Sequence, residues 1–463
     1  MTPWVELKFD FARMLTYIPF LMKADDRLFS LRTGMRTADE MIGTPRLPSD
    51  ETFISHVILR SPLAFYTENE KTKLVTTLSG MDDVVQYPNT YYEVDKIEVQ
   101  KGSNEITFFI KSSDLTKSPV SITRKQDGDA VFERAMQSAM NCICFFIPGI
   151  GHSWVHFLFP DSVAATVHND VPRSSILYKL LEPHTRYTSR INWEALGVRG
   201  ELVIGSSAAV RMAAEASTTA PRGVPANFLT KKFEPWTPFP ISSHEFARKN
   251  SERTTGYYFS DEFACPPKWL TGANAELPYI KSLGRLYPII REHTAKILEY
   301  EDKANIDGFI AAVDANSRID GKGLHLDRFD PIDVIASLIF DAMIIHSTDH
   351  YFTYKVFTQT RYGIATLRNP YTRKWSPGER VPDDFLDPED RIRYASFSDI
   401  FVKFNDSFLF SNSLETLKYR FRQPELKHAG RDLIYAILAE QDKMTTDGDI
   451  YCPIAKLSRS ICF

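Results

Sequence analysis

The sequence predicts a mainly α-helical protein with a small β-hairpin or sheet element confined to its N-terminal third. Three observations carry that expectation. Helix-period apolar patterning dominates from about residue 130 onward, and the run PIDVIASLIFDAMIIHSTDHYFTYKVF, free of Pro after its first residue, is apolar enough to be a buried helix. The stretch YYEVDKIEVQKGSNEITFFIKSS alternates apolar and polar residues on both sides of Lys101-Gly102-Ser103-Asn104, which is a hairpin signal. With 463 residues, 43% of them hydrophobic and 25% charged, the chain can bury a substantial core.

Taken in order, residues 1–60 read as irregular and helical, punctuated by Pro, Asp and Thr around Gly43 to Glu51. The apolar run near the start carries Glu6, Lys8, Asp10 and Arg13, which breaks any secretory h-region. No uncharged stretch of about 18 residues follows, so no membrane-spanning helix is expected. The hairpin comes next. Residues 215–280 are rich in Ser, Thr, Pro and Lys and read as long loops rather than as a linker between independent domains. Asp330 or Asp327 could cap the buried helix. A further helix, interrupted by Pro424, is expected over SLETLKYRFRQPELKHAGRDLIYAILAEQDKM, followed by a polar turn at Thr445 to Asp449 and an extended tail ending RSICF. The expectation is therefore one domain over 1–463, with a divergent part, 1–130, and a helical core, 131–463.

Composition excludes some functions. The net charge of -4 comes from interspersed charges rather than blocks, so there is no electrostatic footprint for nucleic acid or an anionic membrane. Five cysteines (Cys142, Cys144, Cys265, Cys452 and Cys462) are an odd number scattered over a long chain. They read as reduced, buried thiols in a reducing compartment, hence a cytoplasmic protein.

Histidine is spent unevenly. Eleven histidines placed at random would give only about 0.26 pairs at spacing i, i+4, yet there are two, His152/His156 and His346/His350. Residues four apart lie one turn above each other on a helix, so both imidazoles can converge on one ion. Imidazole suits iron, manganese, zinc and copper alike. Either pair alone is as readily a surface or core coincidence. The second pair, however, sits in the most apolar helix of the chain, where uncompensated polar groups are costly. Asp341 and Asp349 lie nearby, though helical spacing puts Asp349 off the His346/His350 face. His184 and His168 read as structural, the first as a hydrogen-bonding side chain beside Arg186, the second as a surface or capping residue.

The segment SSILYKLLEPHTRYTSRIN resembles the segment of lipoxygenases that follows their first metal-binding helix. Downstream, IFDAMIIHSTDH is similar to the lipoxygenase helix that supplies a third histidine and, four residues later, an asparagine or histidine. YRFRQPELKHAGRDLIYAILAEQDKM followed by LSRSICF resembles the family's closing helix and tail, whose last residue gives its terminal carboxylate to the metal. The resemblance runs from about residue 130 to the end. It implies a lipoxygenase-like catalytic domain without a preceding β-sandwich domain, holding one iron ion, or manganese, on His152, His156, His346, His350 and the carboxylate of Phe463.

Two departures stand out. Family members usually end in isoleucine rather than phenylalanine, but the ligating group is main-chain. The family's first two histidines are five apart, here four, so either one residue is deleted between two ligands or one of the pair has left the ligand role. The resemblance further implies a dioxygenase acting on an apolar or unsaturated small molecule and O2. A metal-held hydroxide would take a hydrogen atom from an activated C–H bond, and O2 would add to give a hydroperoxide. No GxGxxG or GxxxxGK[ST] motif points to an organic cofactor. The competing readings are a metal-dependent oxidative tailoring enzyme or isomerase on a small natural product, and a metal-free lipid-binding relative. Neither nucleic acid nor integral membrane association is expected.

Overall fold

The structure is a computed structural model that describes, with short breaks, residues 57–78, 93–123, 153–188, 260–357 and 412–461, together with Ala139 and Ile143. The N-terminal segment up to 56, most of the loop-rich stretch 215–280, and Cys142, Cys144, Cys462, His152 and Phe463 lie outside the described residues.

The β element is larger than a hairpin. Five strands, β1 (Thr67–Asn69), β2 (Lys73–Thr77), β3 (Glu93–Gln100), β4 (Ile106–Lys111) and β5 (Val120–Ile122), form an antiparallel meander in sequence order. The expected hairpin is β3–β4, and Gly102 in its turn takes φ +90, where a side chain would be strained. A bulge between Val94 and Lys96 shifts the alternation, so that Val94, Ile97 and Val99 all reach the core although they are not evenly spaced. The other strands span three to five residues, too short for alternation to stand out in the sequence.

The helices are α1 (Ser153–His156), α2 (Phe159–Asn169), α3 (Ile176–Thr185), α4 (Pro278–Leu298), α5 (Lys303–Asn316), α6 (Pro331–Phe340), α7 (His346–Phe357) and α8 (Ala429–Asp447). The long apolar run is α6 and α7 joined by a π-helical segment, Asp341–Ile345. Asp330 is the cap, its carboxylate accepting the N–H of Ile332 at 2.8 Å, with Pro331 at the first helical position. Every residue from Asp333 to His350 is buried. The stretch Pro331–Phe352 is long and apolar enough to cross a membrane, but 89% of its most apolar window is buried inside the protein, as in a core helix. α4 packs along it, with Tyr287 edge-on to Phe340 and Tyr279 edge-on to Phe352. On its other side α4 is pinned to α8 and the turn that follows it, where Arg285 pairs with Glu440, Asp447 and Asp449.

The closing helix is shorter than expected at its start. Residues 413–428 are not helical but form two 3-10 turns, Leu414–Thr416 and Pro424–Leu426, joined by extended chain. At the start of this segment the backbone groups are taken by the tail. The N–H of Leu414 donates to Leu457 O at 2.8 Å, the N–H of Arg459 to Asn412 O at 2.8 Å, and Ser413 bridges Ser458, so residues 412–414 pair with the tail instead of coiling. α8 runs through the expected turn to Asp447 and is closed by Gly448 at φ +73. Beyond it, the buried Gln441 donates to Cys452 O at 2.7 Å and accepts from the N–H of Ile454 at 3.2 Å, turning the chain back inward. Cys265 and Cys452 are free and buried, as expected.

At Gly430 an added Cβ would lie 2.9 Å from the carbonyl oxygen of Leu417, a main-chain atom with little room to yield. Gly430→Ala is therefore expected to destabilise the protein by about 1–3 kcal/mol through overpacking, despite alanine's better helix propensity. Urea unfolding checks this. A midpoint equal to or above that of the parent would show that the contact relaxes freely.

Candidate metal centre

Two helices bring histidines together. α1 presents His156 at its last position, and the π-segment delivers His346 and His350 at the start of α7. One nitrogen from each ring lies within 4.8 Å of the others, and all three residues are buried. The rings of His156 and His346 stand 5.0 Å apart at 72°, and those of His346 and His350 4.8 Å apart at 61°. These are the second member of the first sequence pair and both members of the second.

The π-segment makes the arrangement possible. In an unbroken α-helix, Asp333 and Asp349 would point roughly 160° apart, since each residue turns the chain by about 100°. One extra residue in a π-turn removes about 100° of that difference. Both carboxylates consequently face α4, where Asp333 accepts from Tyr287 at 3.0 Å and from Arg291 at 2.6 Å, and Asp349 accepts a short hydrogen bond from Tyr279. His346 and His350 are left to face His156. No signal in the sequence marked the π-turn, and nothing singled out Tyr279.

Burial dominates the electrostatics. It pushes the Asp349 carboxyl and the Tyr279 phenol well above their ordinary ranges, the neighbouring Asp349 adding to the effect on Tyr279. Asp341 is also pushed up by burial, and its Oδ1 has no hydrogen-bond partner among the described residues. His184, at the end of α3, bonds to Arg459 O through Nδ1 at 2.7 Å and to the hydroxyl of Tyr419 through Nε2 at 2.8 Å. Its role is thus structural, as expected, with partners far along the chain, while the nearby Arg186 pairs with Glu182. His168 is half-buried at the last turn of α2, its Nε2 3.4 Å from Thr185 O.

The tail arrives at the same place. Ser458 sits against α7, its N–H donating to Ser347 Oγ at 2.9 Å and the two hydroxyls 3.0 Å apart. Asn412 donates to Ser460 O at 3.0 Å, and Ile461 is fully buried.

Three imidazoles fit a transition-metal ion. Metal–nitrogen bonds of about 2.1 Å space the donors on one ion by roughly 3–4 Å, so small side-chain rotations bring nitrogens already within 4.8 Å to that spacing. The donor type alone leaves iron, manganese, zinc and copper open.

Tyr279→Phe removes a donor from a fully buried carboxyl and should cost about 1–3 kcal/mol. Chemical denaturation measures the loss. An unchanged midpoint would mean that the hydroxyl contributes nothing to seating α7.

No family model matches the sequence, and no curated protein does. Solved structures do. The Delta413-417:GS LOX variant superposes with a TM-score of 0.66 at 10% identity, covering 100% of this chain and 75% of its own. The same variant in complex with arachidonate gives 0.62 at 11% identity, covering 100% and 76%. The manganese lipoxygenase of Gaeumannomyces graminis gives 0.54 at 11% identity, covering 85% and 71%. A small antiparallel sheet and a helical body built around one buried, π-broken helix thus make up, in this chain, the fold of the lipoxygenases.

Proposed function

We propose that this chain is a non-haem, metal-dependent dioxygenase that converts an activated C–H bond, in a polyunsaturated or similar small molecule, into a hydroperoxide. The observation that carries the reading is the convergence of three buried imidazoles, from α1 and α7, inside a lipoxygenase-like fold. His156, His346 and His350 would hold the ion, iron in the first instance and manganese as the alternative. The direction of the tail supports a place for the Phe463 carboxylate in the same set, since Ile461, two residues earlier, is already in the core. His152 is proposed as a further ligand from the sequence pairing.

A bound redox-active ion supplies the one-electron chemistry for hydrogen abstraction and for reduction of the peroxyl product. The chain itself provides the donors and a dry environment. Val155, Ile344, Ile345 and Ser347, adjacent to the histidines, are all buried, which keeps bulk water from the cluster. The overall change is balanced: C–H plus O2 becomes C–O–O–H, and no further reductant is consumed. The arachidonate bound to the LOX variant supports an unsaturated acyl chain as the substrate class.

Metal analysis joined to oxygen uptake tests this. The purified protein should carry about one iron or manganese per chain, and His156→Ala, His346→Ala and His350→Ala should each lose it. Protein without bound metal would turn the reading toward a lipid-binding relative, and metal without oxygen uptake on polyunsaturated acids toward a tailoring enzyme or isomerase. Reconstitution with zinc should restore the metal but not the turnover, because zinc has no accessible redox step; full activity with zinc would refute the redox mechanism.

The terminal ligand has its own test. One glycine added after Phe463 displaces the carboxylate by about 3.5 Å and should release the ion, whereas Phe463→Ile should retain it. Unchanged metal content in the extended chain would remove Phe463 from the ligand set.

A further inference from the structure

His184 is fully buried and spends both ring nitrogens on groups far along the chain, Arg459 O and the Tyr419 hydroxyl. A carbonyl can only accept, so Nδ1 carries the proton and Nε2 accepts from Tyr419. The ring is a neutral, singly oriented connector, and burial, which lowers its pKa to about 3, keeps it so at physiological pH. One side of the connection is the tail, at the residue next to Ser458, and Ser458 is in turn bonded to Ser347, the neighbour of His346. His293 also stacks on Tyr419, 5.7 Å between centroids at 28°.

We propose that His184 is a positioning residue for the metal centre, fixing through the Arg459 carbonyl where the tail lies against the helix that bears His346 and His350. The proposal rests on the reading of Phe463 as a ligand and adds a residue that never touches the ion. Its requirement is one N–H at the position of Nδ1.

Two amide variants separate that requirement from general damage. The amide nitrogen of His184→Asn can take the place of Nδ1 and keep the bond to Arg459 O. That of His184→Gln falls near Nε2, reaching Tyr419 but not the carbonyl. Both lose the ring, so both should lower the unfolding temperature alike. Affinity for manganese(II) is measured on the metal-stripped full chain by competition with a chelator, with hydrogen exchange of residues 457–461 as the second readout. His184→Asn should stay within about twofold of the parent and keep the tail amides protected, while His184→Gln weakens binding by at least about tenfold and exposes them, as expected for one lost hydrogen bond in a buried site. Equal affinities for the two variants, whether both weakened or both unchanged, would overturn the proposal. The glycine extension, run in parallel on the parent chain, judges the ligand reading by itself. If the extension leaves affinity unchanged, Phe463 is not a ligand, and the Asn/Gln difference still decides whether His184 acts on the centre through Ser458 and Ser347.

Discussion

The structure depends on keeping polar side chains inside a helix that has no exposed face. Between Asp333 and His350 every residue is buried, yet the stretch contains three carboxyls, two serines, a threonine and two histidines. Burying such groups without partners costs several kcal/mol each, and the surrounding elements meet several of them, though not Asp341 Oδ1 or Ser337 Oγ among the described residues. Tyr287 and Arg291 on α4 answer Asp333, Tyr279 answers Asp349, and the tail residue Ser458 answers Ser347. The extra residue of the π-turn lets one helix satisfy α4 on one side and present imidazoles to α1 on the other.

Much of this was legible in the sequence. The apolar run, the spacing of the second histidine pair and the hairpin each have a short-range pattern, and the structure places them as read: Asp330, one of two candidate caps, caps the helix, β3 and β4 pair across Gly102, and His346 and His350 share a face. His184 as a hydrogen-bonding residue was also legible, because a lone histidine in an apolar helix needs a partner whatever the fold.

What stayed hidden is long-range. Residues 413–428 carry helix-compatible side chains but form turns and extended chain, and at their start the backbone groups of residues 412–414 pair with residues about 45 positions downstream. The π-turn leaves no local mark, since its stability comes from packing on both faces. The Tyr279–Asp349 bond spans 70 positions, and the bond from His184 to Arg459 spans 275. Periodicity within a window cannot report such pairs; only the fold decides them.

The His184–Arg459 connection also bears on how the molecule is made. The seat of the tail is lined by His184, Ser347 and Asn412, all of them synthesised before residues 458–460. A seat lined by hydrocarbon would close on itself in the interval. One lined by an imidazole, a hydroxyl and an amide holds water instead, since small polar cavities hydrate whereas apolar ones stay dry. The late segment then has only to displace that water, so the same polar groups that hold the finished tail keep its place open while the chain is still being synthesised.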